Sequence, residues 1–456
     1  MPGNQPTALE VLDAQKFSRF HARAVFTTGM GVFTDGYDLI SISVVLPMVL
    51  DSFGIGKLTG LQSSLLVASA LLASAVGAIL FGVLSNTGRK RFYGIDVSLM
   101  ALAALAQAFT PGIGWLIGAR TLLGIGIGAD YVLSPMIMAE HSNAKDRGKA
   151  LTVGFSLMWV LGAITASLLQ ITLEWLHVPP DLQWRITLGA GVIPAAAVIV
   201  LRRRLPETPR YYAHIKHDGE ALKSVVAHVT AAPAAAIVRA DTSLGAGMRE
   251  YFARYWRRFF MISLLWFVYD IVIYAGGLFG PSLLGKSVGL TPAQFQLVNS
   301  ALFSIGGSLV AVMLIDRWGR KPLQAAGFLL MGATLLMYAF TYHPGVSPVL
   351  WGIALYGLFF FFNQAGPGSI SGAGMLGVEM AATRVRGLVQ GLSVTAGRLG
   401  AALGVFVFPR LFADYGQSFA VGFLAVTALV GAVLTMVGIP ESSRVSLEKA
   451  SGEQVA

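Results

Sequence analysis

The chain has 456 residues, 55% of them hydrophobic and only 12% charged, with a mean hydropathy of +0.67. A soluble protein carries about 25% charged residues, so the composition excludes an ordinary soluble domain and predicts an all-α protein that crosses the bilayer many times. The net charge of +10 does not point to nucleic acid, because the basic residues fall in short alternate loops as membrane topology requires; the absence of cysteine excludes disulfides and thiolate metal sites.

Residues 1–21 are polar, without an apolar region and small-residue cleavage site, so the first apolar run is expected to insert as an uncleaved anchor. Apolar stretches follow at about 22–50, 60–84, 92–110, 114–140, 148–173 and 183–202, and again at about 258–284, 294–315, 321–341, 347–378, 386–411 and 415–438. Two six-helix bundles, 22–202 and 258–438, therefore flank a polar segment at 203–257, with a short tail at 439–456. One set of loops carries Lys16, Arg19 and Arg23, then Arg89, Lys90 and Arg91, Lys145, Arg147 and Lys149, Arg317, Arg320 and Lys321, and Arg384 and Arg386. The opposite loops hold little beyond Lys57, Lys286 and Arg410, so both termini and the central segment are predicted to be cytoplasmic, in the cell membrane. The central segment opens with Arg202-Arg203-Arg204 and closes with Arg254, Arg257 and Arg258. Around Ala231 to Ala236, one or two short surface helices are expected, with no catalytic role.

Within the first span, Asp35 and Asp38 are three residues apart and share a helix face. An ionised Asp at the bilayer centre costs roughly 2.5–3.5 kcal/mol on insertion scales, so the pair needs water or partners. The fourth span runs Gly124-Ile125-Gly126-Ile127-Gly128-Ala129-Asp130-Tyr131, whose glycines admit a close neighbour before an acidic residue. The seventh places Trp266, Asp270 and Tyr274 on one face, and Tyr269-Asp270-Ile271 repeats Tyr37-Asp38-Leu39. Asp35, Asp38 and Asp270 are accordingly expected to face one polar cavity between the bundles. Arg398, in the eleventh span, cannot lose its charge and needs either a nearby Asp or a bound anion; Arg120 is read as a brace for the fourth span.

The repeat extends further. Gly88-Arg89-Lys90 returns as Gly319-Arg320-Lys321, Glu140 with Arg147-Gly148 as Glu379 with Arg386-Gly387, and Pro206-Glu207-Thr208 as Pro440-Glu441-Ser442. Two halves thus share one six-helix plan, as parallel repeats do. No nucleophile–base pair, phosphate cradle or metal-ligand spacing occurs, so neither an enzyme nor a cofactor is expected.

These landmarks resemble the major facilitator superfamily over essentially the whole chain, which implies twelve spans in two pseudo-symmetric bundles. The resemblance assigns a gate to Arg89, Lys90, Asp316, Arg317, Arg320 and Lys321, together with Glu140, Arg147, Glu379 and Arg386. The first copy, Ser85-Asn86-Thr87-Gly88, is one residue short and lacks the Asp, which puts charge pairing on that side in question. Asp35, Asp38, Asp130-Tyr131, Trp266, Asp270 and Tyr274 narrow the likeness to phosphate:proton symporters, with some likeness to aromatic-acid:proton and sugar:proton symporters. Asp96 stands where that family carries an acidic residue, and Arg398 where it has Lys. The implied proton-coupling set is Asp35, Asp38, Asp96, Asp130 and Asp270; the implied substrate set is Tyr131, Trp159, Trp266, Asp270, Tyr274, Asn363, Gln364 and Arg398. Two departures, Met158-Trp159 at the family's helix 5 Gln and Gly368 at its last helix 10 Asn, tilt the expected substrate from phosphate towards an organic anion. The expectation is a monomeric proton-coupled symporter of a small solute, working by alternating access. A sugar:proton symporter is the alternative, and a non-transporting receptor on the same fold is the rival of another class.

Overall fold

The structure, a computed structural model, describes residues 6–55, 61–230 and 248–453; Lys57 and the Ala231–Ala236 stretch lie outside them. Ten segments among the described residues are long and apolar enough to cross a bilayer. They are α1 (Arg19–Ser52), α2 (Leu61–Leu84), α4 (Ile113–His141), α5 (Arg147–Trp175), α6 (Pro180–Arg202), α7 (Met248–Ser287), α8 (Pro292–Leu314), α9 (Arg320–Thr341), α10 (Val349–Glu379) and the run Thr383–Gly438. Two observations raise ten to twelve. The 56-residue run Thr383–Gly438 breaks at Gly416 (φ 83°, ψ 174°), which splits it into α11 (383–415) and α12 (417–438). The segment after α2 also forms a helix, α3 (Ile95–Ala108), of only 14 residues.

The polar segment is shorter than the sequence suggested: α7 is already helical at Met248, inside the expected 203–257 region. At the end of the molecule that carries the first and last described helices, here called the base, helix Ala8–Ala14 packs Ala8, Leu9 and Leu12 against Leu222, Val226 and Val229 of helix Gly219–Thr230.

The two bundles meet along three seams: α2 on α11, α5 on α8, and α1 on α7. Small residues let backbones touch. A side chain at Gly124 or Gly128 would collide with the Ala70 or Ser74 carbonyl of α2, so the glycine run of α4 serves packing inside the first bundle. The helices that surround the centre are locally irregular. α5 contains a π turn at Thr152–Leu157 and α8 another at Asn299–Ser304, while α10 interrupts its ladder at Gly366-Pro367. Such irregular turns re-aim side chains, and the cavity lies between them.

Candidate functional site

A cavity of about 50 Å³ lies between the bundles. Its wall contains Tyr131, Trp159, Trp266, Asp270, Tyr274, Asn363, Gln364 and Arg398, so the structure brings the whole expected substrate set together. Arg398 is the centre of this arrangement. Its Nη1 donates to Asp270 Oδ2 (3.3 Å) and to the Tyr274 hydroxyl, and its guanidinium stacks over the Tyr131 ring at 4.0 Å. The partner it needs is therefore Asp270, yet the pairing is incomplete. Arg398 Nε and Nη2, Asp270 Oδ1 and the Asn363 amide make no well-formed hydrogen bond, with only looser approaches of Tyr131 to Arg398, Trp266 to Asp270 and Tyr269 to Asn363. Ser156 of α5 closes the floor across the bundles, donating to Gln364 Oε1 at 2.7 Å and sharing a 3.1 Å contact with Ser308. Sequence reasoning missed Gln296 of α8, which lines the cavity with an unpartnered Oε1; with Gln294 and Asn299 close by in the sequence, nothing marks Gln296 as the one that faces inward.

Asp35 and Asp38 do not line this cavity, contrary to the expectation of a shared one. The reason is helix phase. The α1 face that carries them turns into the first bundle, as Tyr37 does when it donates to the Thr187 carbonyl of α6 at 2.7 Å, while Ile40 faces the cavity. Asp38 lies against Gly191 of α6, within electrostatic reach of Arg120. Arg120 itself braces α4, donating to the Leu66 carbonyl (2.9 Å) and to Gln107 Oε1 (3.2 Å). Asp35 meets no donor at either oxygen; Asp130 acts on it most strongly, with Arg202 and Asp38 also in electrostatic reach, and Asp130 Oδ2 rests against Gly31.

Asp96 and Asp130 also sit away from the cavity, joined by a residue at the very end of the first bundle to which the sequence assigned no role. Arg202, fully buried, donates Nη1 to Asp96 Oδ2 at 2.5 Å and Nη2 to Asp130 Oδ1, with its guanidinium 3.8 Å above the Tyr93 ring. Ser134 completes the cluster, donating to Asp130 Oδ1 at 2.6 Å and meeting the Tyr93 hydroxyl at 2.9 Å. Two buried aspartates require a cation and Arg202 ends the sixth apolar stretch, but nothing in the triplet Arg202-Arg203-Arg204 marks which member turns inward.

At the base the internal repeat becomes a pair of matching knots. Glu140 accepts from Arg89 of its own bundle (3.2 Å), from Arg386 across the seam (2.7 Å) and from the Thr208 hydroxyl (2.5 Å). Glu379 accepts from Arg320 of its own bundle (2.8 Å), from Arg147 across the seam (2.9 Å) and from the Ser442 hydroxyl (2.7 Å). The short first copy is therefore paired, through Glu140, and Asn86 fills the place of Asp316. Arg89 donates to Asn86 Oδ1 (3.1 Å) where Arg320 donates to Asp316 Oδ1 (2.8 Å). The two differ across the seam: Asn86 Nδ2 gives to the Arg384 carbonyl (2.7 Å), whereas Asp316 Oδ2 receives from the Lys149 backbone N–H (2.9 Å). Lys90 and Lys321 enter only through their backbone N–H groups, held by Glu207 and Glu441, and the Arg317 side chain is exposed. These three side chains lie outside the knots.

With this geometry in view, the comparisons are specific. The family described as sugar (and other) transporter matches residues 24–453. "Probable inorganic phosphate transporter 1-10" of Oryza sativa subsp. japonica is 31% identical, over 97% of this chain and 91% of its own. "Probable inorganic phosphate transporter 1-6" of Arabidopsis thaliana is 30% identical, over 98% and 97%. Among solved structures, the proton:xylose symporter XylE bound to 6-bromo-6-deoxy-D-glucose superposes with a TM-score of 0.78 at 19% identity, over 95% of this chain and 98% of that one. The inward open conformation of the xylose transporter XylE from E. coli gives 0.68 at 20% identity, over 95% and 99%.

Proposed function

The chain belongs to the sugar (and other) transporter family, a major facilitator group of membrane transporters, and on that premise we propose that it carries inorganic phosphate together with protons. The observation that carries the substrate is the Arg398 site. A guanidinium whose Nε and Nη2 make no well-formed hydrogen bond, beside the Asn363 amide, offers a small oxyanion several charge-assisted hydrogen bonds. Size agrees: a water needs about 10–15 Å³ of such space, so about 50 Å³ holds a few water-sized groups, suiting a tetrahedral ion better than a sugar ring. The tilt towards an organic anion is accordingly withdrawn in favour of phosphate. Trp159 then acts as a wall that shrinks the site.

Asp270 is the coupling carboxylate in this reading. An arriving anion competes for Arg398, and a proton on Asp270 removes the repulsion that a second negative charge would meet. Asp35 is the second coupling candidate in this reading: it meets no donor and faces Asp130, whose charge Arg202 and Ser134 already hold. The bundles rock about the cavity, and the Glu140 and Glu379 knots open and close the base, which we place in the cytoplasm of the cell membrane by its basic loops.

The deciding measurement is uptake into proteoliposomes under an imposed pH gradient. Saturable phosphate accumulation that xylose and benzoate do not inhibit is expected. Benzoate uptake with no phosphate uptake would overturn the substrate.

A further inference from the structure

We infer that the base of α7 binds anionic phospholipid headgroups and that a lipid held there steadies the closed gate. The first turns of α7 continue below its apolar run, and Arg254 and Arg257 stand exposed on them beside Trp256 (52% exposed) and Phe260 (59% exposed). Among the described residues neither guanidinium has a carboxylate partner. Each rests only on a ring of its own helix, Arg254 over Tyr255 and Arg257 over Trp256, both at 5.7 Å. The buried arginines of the base behave differently: Arg89, Arg147, Arg320 and Arg386 all end on Glu140 or Glu379.

The spacing suits a membrane surface. At 1.5 Å per residue, Phe260 lies about 9 Å along the axis from Arg254. An exposed Phe260 in hydrocarbon therefore sets both guanidiniums at headgroup depth, with Trp256 between them as an interfacial ring. A lipid phosphate accepts bidentate bonds from Arg, and an anionic headgroup such as phosphatidylglycerol brings no ammonium of its own to compete. The apolar rings on the same face select a lipid over a soluble polyanion.

The other side of these turns is part of the gate. Tyr251 and Phe259 pack on Ala381, Ala382, Val385 and Val389. The Tyr251 hydroxyl donates to the Ser451 carbonyl (2.6 Å) and accepts from the Ala382 N–H (3.0 Å). Ala382 leads into α11, whose Arg386 crosses to Glu140. Whatever fixes the base of α7 thus also fixes the start of α11 and the tail.

The test uses purified protein and no transported substrate, so it stands apart from the phosphate reading. Native mass spectrometry with equimolar phosphatidylglycerol and phosphatidylcholine should show at least a fivefold excess of phosphatidylglycerol retained. R254Q/R257Q should bring retention near parity, and the exposed pair R19Q/R23Q on α1 should keep the excess. Hydrogen exchange at residues 381–386 should slow on adding phosphatidylglycerol vesicles to the wild type and not to R254Q/R257Q. An undiminished excess in R254Q/R257Q, or an equal loss in R19Q/R23Q, overturns the site. Retention without any change in exchange overturns its link to the gate.

Discussion

Two buried arginines divide the chemistry between them. Arg398 faces the cavity with Nε and Nη2 in no well-formed hydrogen bond, whereas Arg202 holds two carboxylates against an aromatic ring. Arg202→Gln would strand Asp96 and Asp130, and breaking a buried pair this way costs about 3–5 kcal/mol. A clear fall in thermal midpoint is expected, partly recovered by adding Asp96→Asn; a midpoint unchanged in the single variant would mean that the cluster relaxes freely. Asp270→Asn should instead leave the fold intact and abolish gradient-driven accumulation, because the amide keeps the shape but cannot exchange a proton. Uphill phosphate uptake by this variant at every external pH would remove Asp270 from coupling. The aspartates were legible in the sequence because each is expensive inside an apolar run. Arg202 was not, because it begins a triplet whose other members, Arg203 and Arg204, are exposed, and only helix phase separates the one that turns inward. The same limit misplaced Asp35 and Asp38: a two-residue pattern fixes that they share a face, not which bundle wall that face meets.

Helices and their junctions were read more faithfully than side-chain destinations. The twelve apolar stretches each correspond to a helix, since span length is set by bilayer thickness. The early start of α7 and the sharp turn at Gly416 escaped because polar residues can continue a helix and a single glycine can divide one. The repeated motifs foretold the two knots at the base. Removing one crossing cation, as in Arg147→Gln, leaves Glu379 with Arg320 and Ser442 and so should loosen the seam without unfolding the bundle. Greater labelling of a cysteine placed at Ser308 from the base side is expected; unchanged labelling would show that the crossing pair does not hold the seam. The tail is tied by Arg210, which donates to Glu448 Oε1 and Asp13 Oδ1 at 2.8 Å each. Burial pulls Glu448 upward, but the Arg210 guanidinium and His214 together hold it well below its ordinary value of 4.5. A depressed carboxyl contributes stability above its unfolded pKa and loses it as pH falls through the folded one. Protection of residues 447–451 from hydrogen exchange should therefore persist through mild acid and vanish in Glu448→Gln at neutral pH.

Across the whole molecule, the described seams differ in strength from one side to the other. Near the base two buried glutamates each bind a guanidinium from the opposite bundle, while on the far side of the cavity α1 and α7 share the Ser43 hydroxyl with the Gly277 and Leu278 carbonyls (3.3 and 2.8 Å). Neutral hydrogen bonds of that kind contribute about 0.5–1.5 kcal/mol, and charge-assisted ones more. The two doors are thus unequal in how long they stay shut. An empty transporter would spend most of its idle time with the far door ajar and the base bolted, sampling solute from the far side. Its pace at low supply would then be set by waiting for an arrival, and passage in the reverse sense would be rare because it begins at the heavier door.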